Sequence, residues 1–216
     1  MAPAKKGIIA ISILFVGVIG VLFDIPKRGE MSLEESAFPQ MAIQKENVIL
    51  ATSSKTTVMN TLKISSSSFE ANSLIPMQYT CDGKNTRPDL VFSGVPGGAL
   101  SLVLIMDDPD IPDSVKQSRG IEVFVHWIVF NIPSDTAGIS EAERVPGIEG
   151  ANSSGGNGYT GPCPPDREHR YFFKLYALDT NLDLKVGATK KDVEKAMAEH
   201  VIGEAKLIGR YNRARE

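Results

Sequence analysis

The sequence predicts an all-β fold, an antiparallel β-sandwich of about 150 residues with a small C-terminal helical addition, preceded by an N-terminal membrane-anchor helix. Three observations predict it. From residue 62 onward, short apolar runs are separated by Gly, Pro, Asn and Asp, the punctuation of closely spaced strands. Two of those runs are apolar on both faces, as strands covered on both sides are. Only one stretch, near the C-terminus, combines a capping signal with helical periodicity.

The chain begins with Lys5 and Lys6 and then an uncharged run over 7–23, closed by Asp24. As a helix it reaches roughly 25 Å, a little short of the roughly 30 Å hydrocarbon core, a gap that bilayer thinning or snorkelling closes. Its end, Val21-Leu22-Phe23, offers no small-x-small cleavage site, which favours an uncleaved anchor over a secretory signal removed from a secreted protein. Lys27 and Arg28 partly balance Lys5 and Lys6, and the short N-terminal tail tips the expected orientation to N-inside with the domain extracytoplasmic. Residues 24–61 are polar, with no sustained period, and read as a flexible tether. Residues 62–216 form the expected domain.

Within the domain, Ser101 to Met106 is a continuous apolar run of strand length. Ile121 to Asn131 alternates Val123, Val125, Trp127 and Val129 with Phe124, His126, Ile128 and Phe130, which predicts a central strand. Tyr171 to Leu178 places Phe173, Leu175 and Ala177 on one face, with Lys174 on the other. Thr189 and Asp192 have capping-box spacing, and Val193, Ala196, Met197, His200 and Val201 share a helical face. Gly203 is the expected helix stop, before a short strand over Lys206 to Tyr211.

The 216 residues, 42% of them hydrophobic, suffice for one sizeable core. A formal net charge of −3 without a basic stripe excludes a nucleic-acid surface of the usual kind. The two cysteines, Cys81 and Cys163, fit neither a zinc site nor a dense disulfide scaffold; one bridge in an oxidising compartment and two separate thiols both remain open. Asn152-Ser153-Ser154 has the glycosylation spacing and reads as a polar loop.

Chemistry concentrates in three places. Gly161-Pro162-Cys163-Pro164-Pro165 is held in few conformations and leads into His169-Arg170-Tyr171, a recipe for a preformed polar pocket. The turn Asp107-Asp108-Pro109-Asp110-Ile111-Pro112 leaves an apolar strand and puts carboxylates at its mouth. His126 lies inside an apolar strand, where an imidazole needs a partner or costs about 1–3 kcal/mol. His200, on the expected helix, reads as packing or helix-end polarity. Neither a Gly-x-Ser-x-Gly elbow nor a phosphate-cradling loop is present.

Taken in order, Tyr79-Thr80-Cys81-Asp82-Gly83, the acidic turn, His126-Trp127 through Pro133, and Gly158 to Pro165 with His169-Arg170-Tyr171 resemble the phosphatidylethanolamine-binding protein family, in its bacterial and archaeal Raf-kinase-inhibitor-like branch. The resemblance covers about 62–213 and implies a Greek-key sandwich with a small anion pocket. Asp108 and Asp110 match its acidic turn, Pro112 its closing proline and His126 its strand histidine. Gly161 and Pro162 match its backbone wall, and His169 and Tyr171 its second pocket pair. Asp166-Arg167-Glu168 departs from the pattern at the rim.

The implied function is a non-enzymatic module that binds a phosphate-type anion or phospholipid head group and regulates a kinase or protease, with no cofactor and no metal. In that pocket Asp108 is expected to orient or charge a histidine, or to meet an ammonium, while Arg170 points away as an ion pair. The competing reading is a metal-dependent enzyme using His126, His169 and Asp108 as a 2-His-1-carboxylate set. A third makes the loops 113–120 and 138–158 the working surface.

Overall fold

A computed structural model describes residues 61–213, so the expected anchor over 7–23 and the tether up to residue 60 lie outside the described residues. Eight strands form two open antiparallel sheets. The smaller orders β1 (Lys63–Ser66), β2 (Leu90–Ser93) and β5 (Gly138–Ile139) side by side. The larger runs β6 (Ile148–Glu149), β4 (Phe124–Pro133), β3 (Ser101–Asp108), β7 (His169–Leu178) and β8 (Val201–Tyr211).

The large sheet is apolar on both faces because both are covered. Leu102, Leu104 and Met106 of β3 share a core with Ile64, Phe92 and Ile139 of the small sheet. Val103 and Ile105 point the other way, into a second core with Val193 and Met197 of helix α2 (Lys190–Met197). All eight β3 residues are therefore buried, which is why that strand reads as an unbroken apolar run.

β4 departs from simple alternation. Met106 pairs with Trp127 and Asp107 with Val125, so His126 is the extra residue of a β-bulge. The bulge turns His126 onto the face of Trp127 and moves Val125 into the second core with Ile128 and Phe130. The regular alternation expected over Ile121 to Asn131 is corrected here. A second shift lies between Leu102 and Leu104, opposite Asn131, which adopts a positive φ of 53°.

Helix α1 (Asp113–Arg119) occupies what reads from sequence as a loop; Pro112 precedes it and Gly120, at φ 64°, ends it in the left-handed region. For α2 the capping box is present, with Asp192 N–H donating to Thr189 Oγ1 and Thr189 N–H to Asp192 Oδ2. That helix stops at Met197, short of expectation. His200 lies in the following turn, its Nδ1 2.8 Å from Asp179 Oδ1. Val201 already begins β8, and Gly203 is a strand residue opposite Ala177, where an added Cβ would crowd Pro96 Cγ at 3.1 Å.

Asp107, 1% exposed, faces α2, and Lys174 Nζ of β7 and Lys190 Nζ of α2 both reach its Oδ2 at 2.8 Å. The next residue, Asp108, points to the opposite face. Pleating thus separates two adjacent carboxylates into a structural ion cluster and a candidate site.

Candidate functional site

Asp108 on β3, His126 on β4 and His169 on β7 come from three neighbouring strands and meet at one end of the sheet, in a cavity of about 240 Å³. Pro112 and Gly161 also line it. These are five of the eight residues singled out from sequence. The structure adds Arg119 of α1, Phe124 and Thr160 to the lining; Thr160 lies within the Gly158 to Pro165 motif, while the other two carry no motif of their own. Phe124 was legible as the inward neighbour of His126; Arg119 was not, because its helix was missed.

The other three lie behind or beside the cavity. Asp110 is bound by Arg170, with Nε to Oδ2 and Nη2 to Oδ1 both at 2.7 Å, and the Arg170 N–H donates to Oδ2 at 3.0 Å. That guanidinium holds the Asp110 carboxyl below its usual range. Pro162 serves the wall through its carbonyl, which accepts from Cys81 N–H at 3.1 Å. Tyr171 is fully buried, its ring edge-on to His126 at 5.1 Å between centroids. Its hydroxyl finds no hydrogen-bond partner among the described residues, and burial pushes its pKa up.

The Gly-Pro turn is fixed to the segment over 79–85. Gly161 N–H donates to Asn85 Oδ1 at 2.7 Å, and Tyr159 O–H donates to Tyr79 O at 2.6 Å. Cys163 forms a disulfide with Cys81, with their Cα atoms 5.4 Å apart. At Gly161 a Cβ would lie 2.5 Å from both Asn85 Oδ1 and Tyr79 O, so close approach of two backbones requires glycine there.

His126 Nδ1 lies 2.7 Å from the Thr160 carbonyl. A carbonyl only accepts, so the proton sits on Nδ1 and Nε2 is the ring's acceptor while it stays neutral. Burial keeps it neutral, pushing the imidazole down to about 4 against the upward pull of the Thr160 carbonyl. His169 is completely buried, with Nδ1 2.7 Å from Asp108 Oδ2 and Nε2 2.7 Å from Asp166 Oδ1. Asp108 also accepts the Asp110 N–H at 2.8 Å. Burial nevertheless raises its carboxyl above the usual range, outweighing the His169 hydrogen bond.

The site therefore holds one neutral acceptor imidazole, one imidazole between two acid side chains, and a buried acid whose pKa burial raises. Arg119 supplies a cation at the rim, its guanidinium 5.8 Å from the Phe124 ring centroid. Of the 2-His-1-carboxylate set, His169 has both ring nitrogens against carboxylate oxygens, whereas the Thr160 carbonyl at His126 Nδ1 is outer support that leaves Nε2 open to a ligand.

The family model for phosphatidylethanolamine-binding proteins matches residues 65–212. A UPF0098 protein of the archaeon Methanothermobacter thermautotrophicus is 51% identical over 158 residues, covering 70% of this chain and 99% of that protein. A UPF0098 protein of Chlamydia pneumoniae is 40% identical over 153 residues, 71% of this chain and all of the relative. The crystal structure of a phosphatidylethanolamine-binding protein homologue from Chlamydia trachomatis superposes with a TM-score of 0.68 at 39% identity, over 72% of this chain and 99% of that one. That of Escherichia coli YbcL, described as a member of the mammalian family, gives 0.63 at 27% identity, over 71% and 99%. With the acidic turn, the strand histidine and the Gly-Pro wall all placed around one cavity, the chain belongs to the phosphatidylethanolamine-binding protein family, and its relatives fit the bacterial and archaeal branch.

Proposed function

We propose that the domain is a non-enzymatic binding module whose cavity takes a phosphate-type anion, free or as a lipid head group. The observation that supports it most is the convergence of buried Asp108, His126 and His169 on a preformed cavity that Arg119 also lines. Burial raises the Asp108 carboxyl, which lessens its opposition to an anion, and Arg119 supplies the countercharge.

The finer reading is a chain held at a membrane through residues 7–23, with the domain on the extracytoplasmic side and a kinase or protease as its regulated partner. The Cys81–Cys163 bridge favours that side, since disulfides persist in oxidising compartments.

Calorimetric titration of the full chain and of His126→Ala with phosphoethanolamine, and then with zinc or iron(II), tests the binding reading. Phosphoethanolamine binding that the variant loses supports the anion module. Tight metal binding with no response to phosphoethanolamine overturns it in favour of metal-dependent chemistry.

A further inference from the structure

Beside the cavity, next to Pro165 and against the His169 ring that both line it, stands a carboxylate that the anion reading does not use. Asp166 stands in the short connection between the Gly-Pro turn and β7. Its Oδ1 lies 2.7 Å from His169 Nε2, and its Oδ2 2.6 Å from Arg167 Nη1. Arg167 in turn donates to the Asp110 carbonyl at 3.1 Å, which braces the connection against the acidic turn. Asp108 already holds Nδ1, so both ring nitrogens of the completely buried His169 face carboxylate oxygens and neither remains for a ligand. Asp166 itself stays ionised, because the His169 hydrogen bond lowers its pKa, and it is partly exposed at the rim.

We propose that Asp166 is a specificity-determining residue of the cavity: it occupies the outer nitrogen of His169 and disfavours a bare anion relative to an anion that carries its own positive group. The inference rests on the anion reading above. An incoming phosphate meets a charge of its own sign at the rim and competes with it for the imidazole. A ligand whose ammonium lies beside its phosphate offsets that charge and is penalised less. The other carboxylate of the same connection, Glu168, pairs with Arg210 at 2.8 Å, while the His169 ring nitrogens are held by Asp108 and Asp166, so it is an internal control for charge alone.

The test is calorimetric titration of the full chain with inorganic phosphate and with phosphoethanolamine, for wild type, Asp166→Asn, Asp166→Ser and Glu168→Gln, with thermal midpoints recorded for each. Asp166→Asn keeps the shape and an acceptor while removing the charge; Asp166→Ser removes both. Both Asp166 variants are expected to bind inorganic phosphate about tenfold tighter than wild type, the scale of removing one like charge near a partly exposed site. Their preference for phosphoethanolamine over phosphate should shrink, and Glu168→Gln should stay within about twofold of wild type. Phosphate affinity unchanged in both Asp166 variants, or raised equally by Glu168→Gln, overturns the role of Asp166 and leaves the anion reading standing. If neither wild type nor any variant binds either ligand, the anion reading itself fails and this inference fails with it.

Discussion

His126 is a buried imidazole whose protonation the fold opposes, and the consequence is measurable. The unfolded chain titrates this ring near 6.5, the folded chain at about 4. Above pH 6.5 the ring is neutral in both states and adds no pH dependence. Between 6.5 and 4 the unfolded chain accepts a proton that the folded chain refuses, so stability falls as the pH falls. At about 1.4 kcal/mol per pH unit, the displacement from 6.5 to about 4 amounts to a loss of about 3 kcal/mol, complete once the pH is below both values. His126 is only 4% exposed, so solvent screening reduces this little. Other groups titrate nearby: Asp108, raised, gains stability for the folded state as the pH drops, and Asp110, lowered, loses it only as the pH falls through its folded value. The measurement is therefore a difference. Urea unfolding of wild type and His126→Asn, which keeps a donor for the Thr160 carbonyl but cannot titrate, is followed from pH 7.5 to 4. The wild-type stability should approach or fall below that of the variant by about 3 kcal/mol across the window. Parallel profiles would refute the reasoning, because they would mean that the folded state accepts the proton as readily as the unfolded one.

Two further outcomes follow from the packing. Cys81 and Cys163 are 82 residues apart in sequence, so reducing their bridge, or replacing both with Ser, should destabilise the domain by about 4 kcal/mol from loop-closure entropy, read as a shift in the urea midpoint. Asp107→Ala leaves Lys174 and Lys190 without their shared carboxylate; because both lysines reach solvent, the expected loss is about 2 kcal/mol, and Lys190→Met, which leaves Asp107 paired to Lys174, should cost less in the same assay.

What could be read from sequence was whatever depends on one strand at a time. Ser101 to Met106 announced a strand covered on both sides, because a sheet buried beneath a second sheet and a helix has no polar face to show. The bulge at His126 was hidden, since a register shift is a relation between β4 and its partner β3, and the apolar residues on both sides of His126 carry no mark of where the alternation breaks. Helix α1 was hidden for a different reason. It buries no residue, so it has no apolar stripe, and only Pro112 before it and Gly120 after it mark its ends. The end of α2 was misplaced because His200 and Val201 continue the helical spacing of Val193 and Met197 past the point where the chain turns into β8.

The same distinction decides what a motif can say about the site. Asp108 and Asp110 sit two residues apart in one turn and look equivalent as letters, yet they do opposite work. Alternation along β7 puts His169 inward and Arg170 outward, so Asp108 meets the imidazole in the cavity while Asp110 is claimed by the guanidinium outside it. The outward turn of Arg170 was available from the strand pattern, because adjacent residues on a pleated strand cannot share a face; that Asp110 is its partner was not, and from sequence the two aspartates read together as pocket residues. The position of Asp166 was not available either. It stands in a connection with no period, and its contact with His169 depends on the path from Pro165 into β7, fixed in turn by the disulfide at Cys163 and by the Arg167 contact with the Asp110 carbonyl. On the proposed role of Asp166, the floor of the pocket stays on the strands while selectivity lies on the connection, so substitution of Asp166 is expected to retune the ligand without disturbing the strands that form the cavity.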